Sequence, residues 1–416
     1  MLIRKLDETD FPGYVQLQGT AYPGFYSIVP FPHQEMEERF IQLQKEDPIR
    51  KFYGVFQDGG LVGGMQLYDF TLRFHDTRIP LGGIGSVATD FLHKKKKVAK
   101  EIITFFINHY RSKEYVLAAL HPFRPDFYKK MGFGYGTKTN LYRVKPESLP
   151  HGHTKQNLRF CTKQDIPLLV SCHNRVSAKT HGMIEQDSVM MERFFRDPGI
   201  RVIGYGQDGQ LRGYVAFKFV PEPGKSPMIY DMEIIEMIYE TPAATQELFS
   251  CLHSQSDQVR SIYLHTQDES FHYLLADPRN GTENLLPCIA HECNKQGLGI
   301  MYRVINIKGI FQVLREHDFG HQSCKLRIDV EDNFYPANSG AVILHCNCGR
   351  ATVSEENDYE VAMSLNIGEF SSLLMGAVTV KQLCRHGLAV ISDQSYLEII
   401  NQMFMVEEKP VCTVRF

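Results

Sequence analysis

The sequence has no long apolar run. No stretch approaches the ~18 apolar residues that a membrane-spanning helix needs, and Met1-Leu2-Ile3-Arg4-Lys5 lacks the apolar core of a secretory signal. The chain is therefore expected to be cytoplasmic. It also has little charge of either sign to spare: a formal net charge of −3 over 416 residues gives no global attraction to nucleic acid or to an anionic membrane. Cysteine is absent before Cys161, and the ten that follow are scattered as far as Cys412, which reads as reduced thiols and not as a disulfide framework. Two clusters, His345-Cys346-Asn347-Cys348 and Cys288 with His291 and Cys293, have a zinc-like flavour. Neither has a second pair of ligands at a usual spacing, so no metal is expected.

What is present is an ordinary globular composition, 43% hydrophobic and 22% charged, in a chain too long for one core. The most informative stretch runs from Leu81 to Tyr142. It opens with a Gly-punctuated apolar run, Leu81 to Thr89, that reads as a strand. His93 and the lysines Lys94 to Lys97 follow, then Val98 to Tyr110, whose apolar residues Val98, Ile102, Phe105 and Phe106 recur at helical spacing. Cations at a helix start oppose the helix dipole unless an anion binds there. Free N–H groups, dipole and lysines together make a phosphate site. Read alone, the lysine run is equally a solvated face or a nucleic-acid patch. Its place between a Gly-rich strand and an amphipathic helix favours the phosphate.

The strand Tyr115 to Leu120 and the turn Tyr128-x-x-x-Gly132-Phe133 complete a pattern that resembles the acyl-CoA site of the GNAT N-acetyltransferases. The family's pyrophosphate loop maps onto Lys94 to Ala99, with Lys97 where the family has glycine. A repeat supports a second copy: Tyr53 to Gly63, with the hairpin signal Gln57-Asp58-Gly59-Gly60, returns as Ile203 to Gly213, with Gln207-Asp208-Gly209-Gln210. In this copy Glu240-Thr241-Pro242 replaces the cationic loop ahead of a helix from Thr245, so the second copy is expected to be structural and to shape the acceptor pocket. The last segment carries Ile367 to Gly376 and Leu383 to Leu388, a helix-turn pattern that looks like the end of a sterol-carrier-type domain.

The order of these parts resembles the Eis family of acetyltransferases along essentially the whole chain. The resemblance implies an α/β (α+β) protein: a GNAT domain over 1–150, a degenerate GNAT-like domain over 151–289, and a sterol-carrier-like domain over 290–416. It implies acetyl-CoA as co-substrate, bound by Val87, Ala88, Thr89, Lys95, Lys96, Lys97, Val98, Ala99, Lys100, Phe123 and Arg124. Tyr128 matches the family's proton donor, and the carboxylate of Phe416 its proton acceptor. The acceptor would be a small-molecule or peptide amine, and the assembly a trimer or hexamer. Several readings stay open. Tyr128 is alternatively a packed core aromatic, and Tyr22, Phe25, Tyr26 and Phe31 line the acceptor side or belong to the core. His75, His93, His109 and His121 are four undifferentiated bases. A catalytically inactive acyl-CoA-binding, lipid-binding or partner-docking protein is the alternative for the whole chain.

Overall fold

Asp58 and Gly59 both take left-handed backbone, with φ of 51° and 80°, as a two-residue hairpin between twisted strands requires. They join Arg50–Gln57 to Gly60–Phe74 with Gln57 opposite Gly60. The same turn recurs at Asp208 and Gly209, with φ of 51° and 73°, joining Ile200–Gln207 to Gln210–Pro221. The computed structural model describes residues 1–26, 33–152, 154–221, 224 and 228–416; Phe31 lies outside them, and so do the side chains of Phe25 and Tyr26.

The chain forms two compact units, one of Met1–Gly136, Ile300–Pro410 and Val414–Phe416, the other of Thr137–Gly299 and Val411–Thr413. In the first, a seven-stranded mixed sheet runs in the spatial order Leu2–Lys5, Arg50–Gln57, Gly60–Phe74, Thr77–Thr89, Leu117–Leu120, Met301–Val304, Gly134–Tyr135. The helix Val98–Arg111 covers it with Val98, Ile102, Ile103, Phe106, Ile107 and Tyr110 buried. This unit also holds a five-stranded sheet, Arg350–Ser354, Gly340–Asn347, Cys324–Glu331, Val361–Asn366, Ala389–Ile391. The rings of Phe311, Phe319, Phe370 and Phe404 pack together beside that sheet.

The second unit repeats the first sheet strand for strand: Leu158–Phe160, Ile200–Gln207, Gln210–Pro221, Tyr230–Tyr239, Val259–Thr266, Lys138–Val144, Asn294–Leu298. The sixth strand in each sheet comes from outside the run of chain that supplies the others. Met301–Val304 pairs antiparallel with Leu117–Leu120 and with Gly134–Tyr135. Lys138–Val144 does the same for Val259–Thr266 and Asn294–Leu298.

One expectation from the sequence shifts. The helix expected from Thr245 begins at Pro242, because Thr241 caps it by accepting from the Ala244 N–H and proline is at home in a first turn. The start of the helix Ile307–Val313 is likewise set by a cap, Asn306 accepting from the Gly309 N–H. Val411 to Val414, apolar and β-prone, forms no strand. In the second unit the Val411 N–H donates to His181 O at 2.8 Å and the Cys412 N–H to Gln267 Oε1 at 2.5 Å.

Burial sets the acid limit of stability. His109, His121, His173 and His317 all have imidazoles held below the ordinary value of 6.5, in each case chiefly by burial. The unfolded chain binds these protons more readily than the fold, so their contribution is complete above pH 6.5 and is lost as pH falls through the lower folded values. The melting temperature should therefore decline steadily between pH 7 and pH 5. A melting curve flat across that range would show that these rings are not buried as neutral species.

Candidate active site

The site begins where a strand loses its neighbour. Thr77–Thr89 pairs in parallel with Leu117–Leu120 only from Leu81 to Gly83, opposite Leu117 to Ala119, although it runs on to Thr89. A bulge opposite the Gly64–Gln66 step, with Ser86 at a φ of 50°, bends it away. The backbone from Gly85 to Thr89, including Val87, Ala88 and Thr89, is left unpaired on that side and can bond a ligand. Two side chains already hold carbonyls of this segment: Gln18 Nε2 donates to Ser86 O at 3.0 Å and the Tyr22 hydroxyl to Val87 O at 2.6 Å. Of the aromatics whose role was open, Tyr22 is thus tied to the splayed strand.

The lysine loop takes the shape of an anion nest. Lys95 and Lys97 have φ of 66° and 65°, and Lys97 is the N-cap of Val98–Arg111 with no side-chain cap. The first helical bond is from the Glu101 N–H to Lys97 O at 3.1 Å, which leaves the N–H groups of Val98, Ala99 and Lys100 ahead of it. Lysine therefore stands here in the very backbone conformation that explains the family's glycine, a left-handed one that costs a non-glycine residue about 1 kcal/mol or more. The side chains of Lys94 to Lys97 are exposed. Three free donors, a 14-residue helix dipole and surrounding ammonium groups fit a pyrophosphate. Phe123 is 62% exposed, and Arg124 forms an ion pair with Asp126 at 2.6 Å, which engages part of the charge expected for the cofactor.

Tyr128 lies near the end of the short helix Pro125–Lys129 and is 3% exposed. Its carbonyl accepts from the N–H groups of Met131 and Phe133, at 2.9 and 3.1 Å, which folds the turn back on itself. Gly132 has a φ of 80°, and a Cβ there would overlap the Arg303 guanidinium, so glycine is required twice over. Burial pushes the Tyr128 phenol above its ordinary value of 10, with Tyr22 nearby adding to the shift.

Phe416 arrives at the same opening. Its ring packs edge-on against Tyr68, Phe70 and His121, with centroids 5.5, 4.8 and 5.1 Å away. Its carbonyl carbon lies 2.9 Å from where a Cβ on Gly85 would stand, so the bare Cα of Gly85 makes room for it. His121 Nε2 bonds Val414 O at 3.0 Å. Since a carbonyl only accepts, that nitrogen carries the proton and Nδ1 is left as the acceptor. Burial keeps the ring below its ordinary pKa, and Arg415 adds to this, while the bond to Val414 works against it. His121 is the histidine that the sequence could not single out from four. His75 instead bonds Leu374 O at 2.9 Å, His93 bonds Asp90 at 2.7 Å, and His109 stacks on Phe105.

The second unit keeps the splay. Tyr230–Tyr239 pairs with Val259–Thr266 only as far as Ile234 opposite Leu264. The offset that takes Gln57 to Gln207 takes Ser86 to Glu236, a buried carboxylate that accepts from Arg193 at 2.5 Å, from Gln186 at 3.1 Å and from Tyr214. Glu240 does not confront an anion with bare charge, as the sequence suggested, because Arg175 and Arg212 both pair with it. The Thr241 side chain and Pro242 occupy the helix start instead.

Comparison with known families agrees with this geometry. A model of an acetyltransferase (GNAT) domain matches residues 2–136, a second GNAT model residues 182–304, and a sterol carrier protein domain residues 311–413. No curated protein matches the chain. Among solved structures, a GCN5-related N-acetyltransferase from Anabaena variabilis superposes with a TM-score of 0.81 at 15% identity, covering 100% of both chains. A probable N-acyltransferase from Enterococcus faecalis gives 0.77 at 18% identity over 100% of this chain and 99% of its own. Eis1 from Mycobacterium abscessus gives 0.76 at 15% identity over 100% of both, a likeness of fold. With acetyltransferase domains matched in both halves of the repeat and a sterol carrier domain behind them, the chain belongs to the GNAT N-acetyltransferases, in the Eis-like arrangement.

Proposed function

We propose that the first domain transfers the acetyl group of acetyl-CoA directly to a primary amine, of the aminoglycoside, polyamine or lysine-like class. Tyr128 serves as acid, and the Phe416 carboxylate anchors the amine or accepts its proton. GNAT domains use acetyl-CoA, which supplies the activated acetyl thioester. Lys95, Lys96 and the N–H groups of Val98, Ala99 and Lys100 would hold the pyrophosphate. Val87, Ala88 and Thr89 would hold the arm that carries the thioester and polarise its carbonyl. The observation that carries the reading is the convergence on one unpaired strand segment: Phe416 against Gly85, and Tyr22, neighbour of Tyr128, bonded to Val87.

The roles follow from the chemistry of each group. A buried phenol stays protonated across the working range, so Tyr128 always has a proton to offer the departing sulfur. The same burial makes complete transfer uphill until negative charge has developed there. An ordinary carboxylate is a weak base toward an alkylammonium, which suits Phe416 to holding the cationic amine, with a water carrying its proton. His121 fixes the approach of this segment through Val414. The ten cysteines, none of them in a disulfide, suit a reducing cytoplasm, and the resemblance to Eis proteins supports a trimer or hexamer. The rival reading, an inactive acyl-CoA or lipid carrier, would draw support from Lys97 if a lysine there spoiled the phosphate loop. The left-handed backbone at Lys97, the conformation glycine favours, supports an intact loop instead.

Three experiments test these assignments. Reversing Lys95 and Lys96 to glutamate should raise the KM for acetyl-CoA sharply and flatten its salt dependence, whereas Lys97→Gly should bind CoA as tightly or more so; unchanged affinity in the reversed variant removes the phosphate loop. Tyr128→Phe should lower turnover by about 10²-fold with CoA binding retained, and turnover equal to the parent's would place the acid elsewhere. Extending the chain beyond Phe416 displaces its carboxylate, so activity should collapse while the melting temperature and CoA titration stay put. Full activity in the extended form sinks the role given to Phe416.

A further inference from the structure

The turn that carries Tyr128 is gripped from beneath by residues far along the chain. Arg303, in Met301–Val304, is fully buried, and its Nη1 donates to Met131 O at 2.8 Å, inside the Tyr128-x-x-x-Gly132-Phe133 turn. Its Nη2 donates to Asp332 Oδ2 at 2.5 Å, in an ion pair with neither side chain exposed. Asp332 is itself immobilised, accepting from the Tyr335 N–H at 2.9 Å and from Asn338 Nδ2 at 3.2 Å. Asn338 in turn accepts from Arg111 at 2.9 Å and donates to Val304 O at 3.1 Å. One residue after Tyr128, Lys129 pairs with Glu369 of the helix Ile367–Leu374 at 2.5 Å. That helix also holds the strand, because the Val304 N–H donates to Ser371 Oγ at 2.9 Å.

A buried ion pair is a poor way to gain stability, since desolvation consumes most of its attraction and apolar residues of similar volume often do as well. Arg303 is a demanding choice even so, because its Nε is buried with no partner and burial depresses its pKa. What it does that an apolar residue could not is donate to a carbonyl of the acid-bearing turn. We infer that Arg303, Asp332 and Glu369 are positioning residues for Tyr128, so that the sterol-carrier-like part of the chain acts in the reaction as a clamp on the catalytic turn. A small displacement of the phenol is enough to cost turnover, while the lysine loop, on another element, is left as it was.

The inference rests on Tyr128 being the acid, and a double-variant cycle separates the two ideas. Asp332→Asn keeps the shape and removes the charge that fixes Arg303; Glu369→Gln does the same at the margin of the core. Each is made in the full-length parent and in Tyr128→Phe, with kcat, KM for acetyl-CoA and CoA affinity measured. We expect Asp332→Asn to lower kcat 10-fold or more with CoA affinity within twofold, and to cost less than twofold further once Tyr128 is phenylalanine. Should Asp332→Asn fail to fold, the Glu369→Gln cycle decides by the same criterion. A loss of equal size in both backgrounds, or none in the parent, overturns the clamp while leaving Tyr128 as the acid. Parent-like turnover in Tyr128→Phe overturns the acid assignment and the clamp together.

Discussion

A strand buried on both faces must have both of its edges hydrogen-bonded, because an unpaired backbone group away from water costs about as much as a lost hydrogen bond. Leu117–Leu120 is buried at all four positions, and on the side away from Thr77–Thr89 its partner is Met301–Val304. Much of the rest follows from that requirement. Bringing the late strand into the sheet brings Arg303 under Gly132, which must then lack a side chain. It also brings Ser371 and Gly368 close to Val304 and Gly134, where a Cβ on Gly134 would collide with the helix Ile367–Leu374. The third domain is thus part of the support of the first sheet, and its own aromatic core completes that support.

The repeat shows one scaffold keeping its geometry under two different sets of side chains. Both copies have the hairpin, the strand order and the splay. They differ in the side chains of the bent strand: Ser86, whose carbonyl accepts from Gln18, in the first, and Glu236, bonded to Arg193, Gln186 and Tyr214, in the second. A bulge is a backbone feature that tolerates many side chains, so it persists when they change. A phosphate nest depends on a few free N–H groups, and a threonine cap is enough to use one of them.

The sequence revealed what is local. Hairpin glycines, the helical spacing of Val98, Ile102 and Phe106, and the lysine run are each read from neighbours within a few residues, and the strand, loop and helix stand close to where that reading put them. What it hid is non-local. Nothing adjacent to His121 distinguishes it from His75 or His109; only Val414, almost three hundred residues on, does so. Arg303 reads as a charge in a short apolar strand, and its two partners lie in other elements. The helix expected from Thr245 starts three residues earlier, where the cap Thr241 outweighed the apolar periodicity.

The late strand also sets a timetable. During synthesis, the other residues of the first sheet emerge well before Met301–Val304, and Leu117–Leu120 must wait with one edge unpaired. At the usual ~5–20 residues per second that wait is on the order of ten seconds, an interval in which an unpaired edge strand is a template for association with other chains. A ribosome that stalls within the second unit would release a first domain lacking its sixth strand. Such a fragment is a substrate for chaperones and proteases before it can become an enzyme.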